Sequence, residues 1–182
     1  MLIDLIKTMR PRQWPKNGFV FAALFFDRQV LLIESIFQAV LAFILLCLIS
    51  SAVYIMNDLA DIESDREHPT KRNRPLPSGQ LDVNVARIAL AILIIAGLAA
   101  SFALDLVFGI ILLSYLLLQV AYTWQLKHIV LLDVSAVATG FILRVAAGVV
   151  IVQVERFSPW LYVCTGFLAL FLALGKRRHE LV

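Results

Sequence analysis

The sequence has 182 residues, of which 61% are hydrophobic and only 16% are charged, and its mean hydropathy is +0.88. Soluble domains average roughly 45 to 50% apolar residues, so this composition excludes an ordinary soluble fold and predicts a polytopic, all-α membrane protein. The net charge of +3 does not indicate a nucleic acid partner, because the basic residues cluster in short loops beside apolar runs.

Six apolar runs follow one another along the chain, each near the roughly 20 residues that span a bilayer. They cover residues 17–32, 33–56, 84–104, 106–124, 129–152 and 158–175. The first run is the weakest candidate, because residues 27–29 place Asp, Arg and Gln within it. The sequence shows no strand pattern and no internal repeat, so it predicts a single integral membrane domain over residues 1–182, a transmembrane helix bundle with about six spans.

The distribution of Lys and Arg predicts which side of the membrane each loop faces. If every run crosses, all of the 16 Lys and Arg residues except Arg28, Arg144 and Arg156 lie on one side. The positive-inside rule makes that side cytoplasmic. The N-terminal segment is basic and lacks an apolar core before a cleavage site, so we expect no cleaved signal peptide. We therefore expect a multi-pass protein of the cell membrane.

The segment RPRQWPKN, residues 10–17, permits two interpretations. Trp14 flanked by Lys and Arg is typical of an anchor at the level of the lipid headgroups. Alternatively, Lys16 and Asn17 lie at the mouth of the first helix and reach toward a site on the cytoplasmic side. The residue types alone do not separate these interpretations.

The longest polar stretch, residues 57–79, reads NDLADIESDREHPTKRNRPLPSG and is expected to hold most of the chemistry. On one helix, four side chains able to bind a metal fall on a single stripe, at about 0°, 40°, 80° and 100° around the axis: Asn57, Asp61, Asp65 and Asp58. Ser50 and Tyr54 continue this stripe. Three ionised carboxylates so placed repel one another, which indicates a cation between them. Mg²⁺ is suitable because it prefers one or two carboxylates with waters and substrate phosphates.

Basic residues follow the acids closely. Lys71, Arg72 and Arg74 lie within a run that three prolines stiffen, so their cations are expected to be held where they can bind phosphate oxygens. A charge run beside a membrane is also typical of a solvated loop without chemistry. The phased acids at the end of an apolar helix favour the metal and phosphate interpretation.

Two later basic segments are expected on the same side of the membrane. Near the loop after the fourth run, Lys127 is a candidate phosphate ligand beside Tyr122, whereas His128 fits an ordinary surface histidine. The terminal LGKRRHE, which contains Lys176 and Arg177, is either a topology signal or part of a phosphate-binding rim.

Arg144 lies about halfway along the fifth apolar run. A lipid-facing guanidinium at that depth would cost at least about 2.5 kcal/mol, so it must face protein or water. It shares a helical stripe with Asp133 and with the small residues Gly140 and Ala147, which permit close helix packing. A structural ion pair and a substrate contact both remain open for Arg144.

The segment of residues 57–79 resembles the first Asp-rich motif, NDxxDxxxD, of the UbiA superfamily of intramembrane prenyltransferases. RPRQWPKN, YTWQLKHIVLLDV, GFILRVAAG and LGKRRHE resemble, within that superfamily, the decaprenyl-phosphate phosphoribosyltransferases. The resemblance implies a helical bundle that binds a Mg²⁺-diphosphate donor at its cytoplasmic mouth and admits a polyprenyl chain from the lipid. Such proteins usually have about nine spans and a second Asp-bearing motif, so the resemblance implies that this chain matches their N-terminal two-thirds.

The function implied by the resemblance is Mg²⁺-dependent transfer of 5-phosphoribose from phosphoribosyl diphosphate to polyprenyl (decaprenyl) phosphate, a step toward the arabinose donors of cell-wall assembly. Asp58, Asp61 and Asp65 would hold the Mg²⁺ and act in catalysis. The candidate substrate-binding residues are Lys16, Asn17, Tyr54, Asn57, Lys71, Arg72, Arg74, Tyr122, Lys127, Arg144, Lys176 and Arg177.

Other functions remain open at this point. A prenyltransferase of the same superfamily would alkylate an aromatic or other acceptor with a polyprenyl diphosphate. A cation-coupled transporter would also use acidic residues, but these are expected near the bilayer midplane at broken helices. The oligomeric state, including a homo-oligomer, is not decided by the sequence.

Overall fold

The computed structural model describes residues 1–27, 29–154 and 159–180. Within these residues the fold is all-helical, which confirms the predicted fold class. The α-helices are α1 (Leu2–Met9), α2 (Ala22–Phe26), α3 (Ile33–Ala60), α4 (Ile62–Glu67), α5 (Val83–Leu104), α6 (Leu106–Trp124), α7 (Val130–Ile151) and α8 (Pro159–Glu180). A 3-10 helix, Pro11–Phe21, joins α1 to α2.

Four helices among the described residues are long and apolar enough to cross a membrane: α3, α5, α6 and, from Leu131, α7. They coincide with four of the predicted runs. The apolar part of α8, Pro159–Phe171, is shorter, and the total of six spans therefore stays a prediction. The protein is an integral membrane protein.

The first predicted run, residues 17–32, does not form one continuous helix. The 3-10 helix occupies its beginning, α2 covers only five residues, and the chain turns at Asp27. Pro15 lies inside the 3-10 helix and lacks a backbone donor, which disfavours an α-helix at that point. At the turn, Gln29 donates to the Asp27 carboxylate at 2.6 Å. The polar residues that weakened this run in the sequence therefore mark the place where it bends.

Helix α3 lies at the centre of the bundle. Its residues Leu46, Ile49 and Val53 are buried against Leu112 of α6 and Ala147 of α7. A helix that is apolar on all sides is expected in the interior of a bundle. In contrast, α5 buries only a small part of its surface and exposes a stripe of isoleucines suited to contact with lipid: Ile88, Ile92 and Ile95.

A close backbone contact fixes the 3-10 helix against α7. A Cβ atom added at Gly148 would lie 2.0 Å from the carbonyl oxygen of Val20, so only glycine permits this approach. The contact places the 3-10 helix beside the middle of α7, where Arg144 lies. It thus determines which side chains surround that arginine.

The polar loops meet at one end of the bundle. Asp58 at the end of α3 pairs with Arg10 before the 3-10 helix. Nearby, Asp61 pairs with Lys127 in the loop between α6 and α7, and Asn57 accepts a hydrogen bond from Thr123. These contacts bring together the segments that the sequence predicted to share one side of the membrane.

Candidate active site

The acidic stretch does not continue α3 as one straight helix. α3 ends at Ala60, Asp61 leaves the helical conformation with φ −101° and ψ 11°, and α4 begins at Ile62. The prediction of one continuous helix through Asp65 is therefore wrong, although the backbone N–H of Asp65 still donates to the carbonyl oxygen of Asp61. Despite the break, Asp58 and Asp65 remain on one side of the chain, where Arg74 contacts both.

Two of the three aspartates are buried and share one arginine. The side chains of Asp58 and Asp65 are each only 3% exposed. Nη1 of Arg74 donates to Oδ2 of Asp65 at 2.6 Å and to Oδ1 of Asp58 at 3.3 Å. Nη2 of Arg10 also donates to Oδ1 of Asp58, and Nζ of Lys71 lies 3.8 Å from Oδ1 of Asp65. One guanidinium thus spans both carboxylates, which places them at a common point.

The third aspartate is more exposed and has its own cation. Nζ of Lys127 donates to Oδ1 of Asp61 at 2.9 Å, which joins the end of α3 to the loop before α7. Lys127 therefore lies beside the acidic cluster, and its role as a phosphate ligand stays a prediction. Arg72 is exposed on the turn Lys71–Asn73 and pairs with none of the described carboxylates.

The donor set fits Mg²⁺ when a substrate completes the coordination. Within residues 1–27, 29–154 and 159–180, no three acidic, histidine or cysteine side chains converge closely enough to enclose a metal ion by themselves. Mg²⁺ is usually held by only one or two carboxylates together with water and phosphate oxygens. Asp58 and Asp65 supply two such carboxylates at one point, and Asp61 lies at the adjoining helix end.

A cavity of 320 Å³ lies beside this acidic cluster. Asn57 and Lys16 border it, and Asn57 itself accepts a hydrogen bond from Thr123. Tyr122 also borders it while donating its hydroxyl to Oδ1 of Asp133 at 2.8 Å. Five of the predicted substrate-binding residues therefore surround one space: Lys16, Tyr54, Asn57, Tyr122 and Arg144.

Arg144 is buried, with 7% of its surface exposed. Its guanidinium donates to Oδ1 of Asn17 at 2.8 Å, to the carbonyl oxygen of Gly140 at 2.8 Å and to the hydroxyl of Tyr115 at 2.7 Å. These acceptors are neutral, and none of the described carboxylates forms an ion pair with Arg144. The structural ion pair considered for Arg144 therefore has no carboxylate partner among the described residues, and both interpretations of Arg144 stay predictions.

The sequence suggested that Asn17 reaches toward the acidic site from the mouth of the first helix. In the structure Asn17 lies inside the bundle. It is 1% exposed and donates Nδ2–H to Oγ of Ser50 at 3.0 Å while accepting from Arg144. The nearby Trp14 donates Nε1–H to Oγ of Ser51 at 3.0 Å. With a further bond from Nδ2 of Asn17 to Sγ of Cys47 at 3.3 Å, three side-chain hydrogen bonds tie the 3-10 helix to α3 and fix its position.

Arg10 is a site residue that the sequence analysis did not single out. It pairs with Asp58, borders the cavity and lies over the ring of Tyr54, with 5.0 Å from Cζ to the ring centroid. Its backbone is left-handed, with φ 52°, where the chain turns from α1 into the 3-10 helix. The sequence feature that could have identified Arg10 was its place at the start of RPRQWPKN.

Lys176 and Arg177 lie on α8, and their side chains are outside the described part of the structure.

Comparisons with known proteins agree with this architecture. The model of the UbiA prenyltransferase family matches residues 18–178. A decaprenyl-phosphate phosphoribosyltransferase of Corynebacterium glutamicum is 38% identical over 98% of this chain and 54% of its own length. A protein of that name from Mycolicibacterium smegmatis is 37% identical over 100% of this chain and 58% of its own length. The chain thus spans little more than half the length of these curated relatives.

A solved structure shares the fold. The structure of a UbiA homolog from Archaeoglobus fulgidus bound to DMAPP and Mg²⁺ superposes with a TM-score of 0.78, at 22% identity. The superposition covers 92% of this chain and 60% of that chain. At this identity the likeness shows the fold alone.

Proposed function

The chain belongs to the UbiA prenyltransferase family, and from that premise we propose that it transfers 5-phosphoribose from phosphoribosyl diphosphate to polyprenyl (decaprenyl) phosphate. The single observation that carries the proposal is the pair of buried carboxylates, Asp58 and Asp65, bridged by Arg74 at the end of an apolar helix. Such an acidic and basic cluster suits a metal-bound diphosphate. The names of the curated relatives support phosphoribose as the group transferred.

We place the diphosphate of the donor at the acidic mouth. Asp58, Asp61 and Asp65 would hold Mg²⁺ there, and the ion when bound supplies charge stabilisation to the departing diphosphate. Besides these three aspartates, phosphate oxygens of the donor and water would be the remaining ligands of the ion.

The cations around the acids would bind the donor phosphates directly. Arg10, Arg74 and Lys127 each contact a carboxylate of the cluster, so their charged groups lie within a few ångströms of any ligand held by those acids. Arginine binds phosphate oxygens through two parallel N–H bonds, which fixes orientation as well as position. Arg10 and Arg74 would orient the diphosphate, and Lys127 would approach it from the α6–α7 loop.

The reaction needs no general base from the protein. The bond from C1 of ribose to the diphosphate breaks with the electron pair leaving on oxygen, and an oxygen of the lipid phosphate forms the new bond to C1. That lipid phosphate is already an anion, so positioning and electrostatic stabilisation carry the rate enhancement. We propose that the site faces the cytoplasm and that its product feeds cell-wall assembly.

A second candidate is prenyl transfer to an aromatic or other acceptor. The family's description and the fold shared with a homolog bound to DMAPP favour it. A cation-coupled transporter is disfavoured, because the acids lie at the end of α3 beside a basic loop, whereas transporter ion sites lie at broken helices near the midplane.

The test is product formation with both donor classes in lipid nanodiscs. With Mg²⁺, labelled phosphoribosyl diphosphate and decaprenyl phosphate should give a lipid-soluble labelled product, and Asp65→Asn should reduce it by orders of magnitude. Asp105→Asn is the matched control. Asp105 caps the first turn of α6, at the end of that helix away from the acidic site, and asparagine caps a helix equally well. Product only from a prenyl diphosphate and an aromatic acceptor would replace the proposal with the second candidate.

A further inference from the structure

Arg144 retains hydrogen-bonding capacity inside the bundle. A guanidinium has five N–H donors. Nε donates to Asn17, Nη1 donates to Gly140, and Nη2 donates to Tyr115. Each terminal nitrogen therefore keeps one N–H beyond these bonds, and the side chain borders the 320 Å³ cavity.

The positive charge of Arg144 has no anionic partner among the described residues. Its three acceptors are neutral, and the rings of Tyr115 and Phe141 lie 4.7 and 5.5 Å from Cζ. Ring contacts attract a cation but do not neutralise it. Because a buried charge is costly unless it is paired, an anion bound in the adjoining cavity would stabilise this arginine.

The lining of the cavity fits such an anion. Arg10 and Lys16 border it together with Arg144, and among the lining residues that the structure describes none is Asp or Glu. Tyrosine and amide side chains supply neutral donors at its wall: Tyr54, Asn57 and Gln119. Cations and neutral donors without a carboxylate are the groups that bind phosphate.

Neighbouring residues hold the guanidinium in place before any ligand binds. Asn17 is itself fixed by its bond to Ser50 at 3.0 Å. The carbonyl oxygen of Gly140 accepts from Nη1 of Arg144 at 2.8 Å, which holds the guanidinium from its own helix. A donor fixed in advance loses little freedom on binding, which favours affinity.

We propose that this cavity is a binding site for a phosphate monoester, separate from the Asp58 and Asp65 cluster. Arg144 is the main residue that binds the phosphate. Two ligands of the proposed reaction carry this group: the sugar donor has a 5-phosphate, and the lipid acceptor ends in a phosphate. The inference rests on the proposed function only for the identity of these two ligands.

The experiment measures binding of separate fragments to the protein in nanodiscs. The probes are ribose 5-phosphate, farnesyl phosphate and Mg²⁺ with inorganic pyrophosphate. We expect Arg144→Gln to weaken at least one monoester tenfold or more and to leave pyrophosphate binding within twofold. Arg87→Gln, at an exposed position near the start of α5, is the matched control and should change neither. Selective loss of farnesyl phosphate assigns the site to the acceptor, and selective loss of ribose 5-phosphate assigns it to the donor.

Milder variants keep the proposal testable if Arg144→Gln does not fold. Arg144→Lys keeps the positive charge but cannot donate two parallel hydrogen bonds. Tyr115→Phe removes the hydroxyl that accepts a hydrogen bond from Arg144. Each should weaken the same monoester by a smaller factor. Monoester affinities within twofold of wild type in folded variants would overturn the proposal, as would a wild-type protein that binds neither monoester. Intact monoester binding without any transfer of phosphoribose would instead count against the proposed function alone.

Discussion

Replacing Arg74 with glutamine should destabilise the protein far more than a typical loss of one ion pair. The change leaves Asp65, whose side chain is 3% exposed, with only Lys71 at 3.8 Å. At an effective dielectric constant of about 20, opposite charges 2.6 Å apart attract by roughly 6 kcal/mol before desolvation is subtracted. Removing one partner from a fully buried pair costs about 3 to 5 kcal/mol, and here the remaining Asp65 is buried although Arg74 is 31% exposed. Because Lys71 compensates in part, we expect a loss near the lower value.

The assay is equilibrium unfolding in mixed micelles with increasing SDS. The double variant Arg74→Gln, Asp65→Asn should be more stable than Arg74→Gln alone, because it no longer buries an unpaired carboxylate. Arg66→Gln is the matched control, since its pair with Glu63 is exposed and should contribute at most about 1 kcal/mol. Equal effects of Arg74→Gln and Arg66→Gln, or no recovery in the double variant, would refute the reasoning.

Two further predictions concern packing and topology. Gly148→Ala should lower the unfolding free energy by about 1 to 3 kcal/mol or prevent folding, because its Cβ would lie 2.0 Å from a backbone oxygen. Gly18→Ala has no atom within 4 Å of the new Cβ and should change thermal stability little, so equal effects would contradict the packing argument. In a background without the exposed native cysteine, Ser78→Cys should resist an impermeant maleimide in intact cells, whereas Glu34→Cys at the other end of α3 should react. Labelling of Ser78→Cys from outside would reverse the proposed orientation.

The membrane helices could be predicted from the sequence because hydropathy depends on local composition. α3, α5, α6 and α7 each follow an apolar run within a few residues. A helix in lipid satisfies its own backbone hydrogen bonds, so its existence does not depend on which helix it packs against. The clustering of acids and cations around residues 57–79 was visible for the same reason, since most of the partners lie close together in the sequence.

Three other contacts could not be predicted, because their partners come from distant parts of the chain: Arg10 with Asp58, Lys127 with Asp61, and Asn17 with Arg144. Asn17 and Arg144 are separated by 127 positions, and Arg10 and Asp58 by 48. No local pattern specifies such a contact. The break at Asp61 was not predicted, because helical phase assumes a continuous helix, whereas the backbone at Asp61 has φ −101° and ψ 11°.

The most direct test of the central claim is Mg²⁺-dependent binding of phosphoribosyl diphosphate, measured by calorimetry on the protein in nanodiscs. We predict binding that requires Mg²⁺ and that Asp58→Asn and Asp65→Asn each weaken at least tenfold, in proteins that still fold, while Asp105→Asn leaves it unchanged. Binding that is equally tight without Mg²⁺, or unchanged in both site variants, would contradict the account.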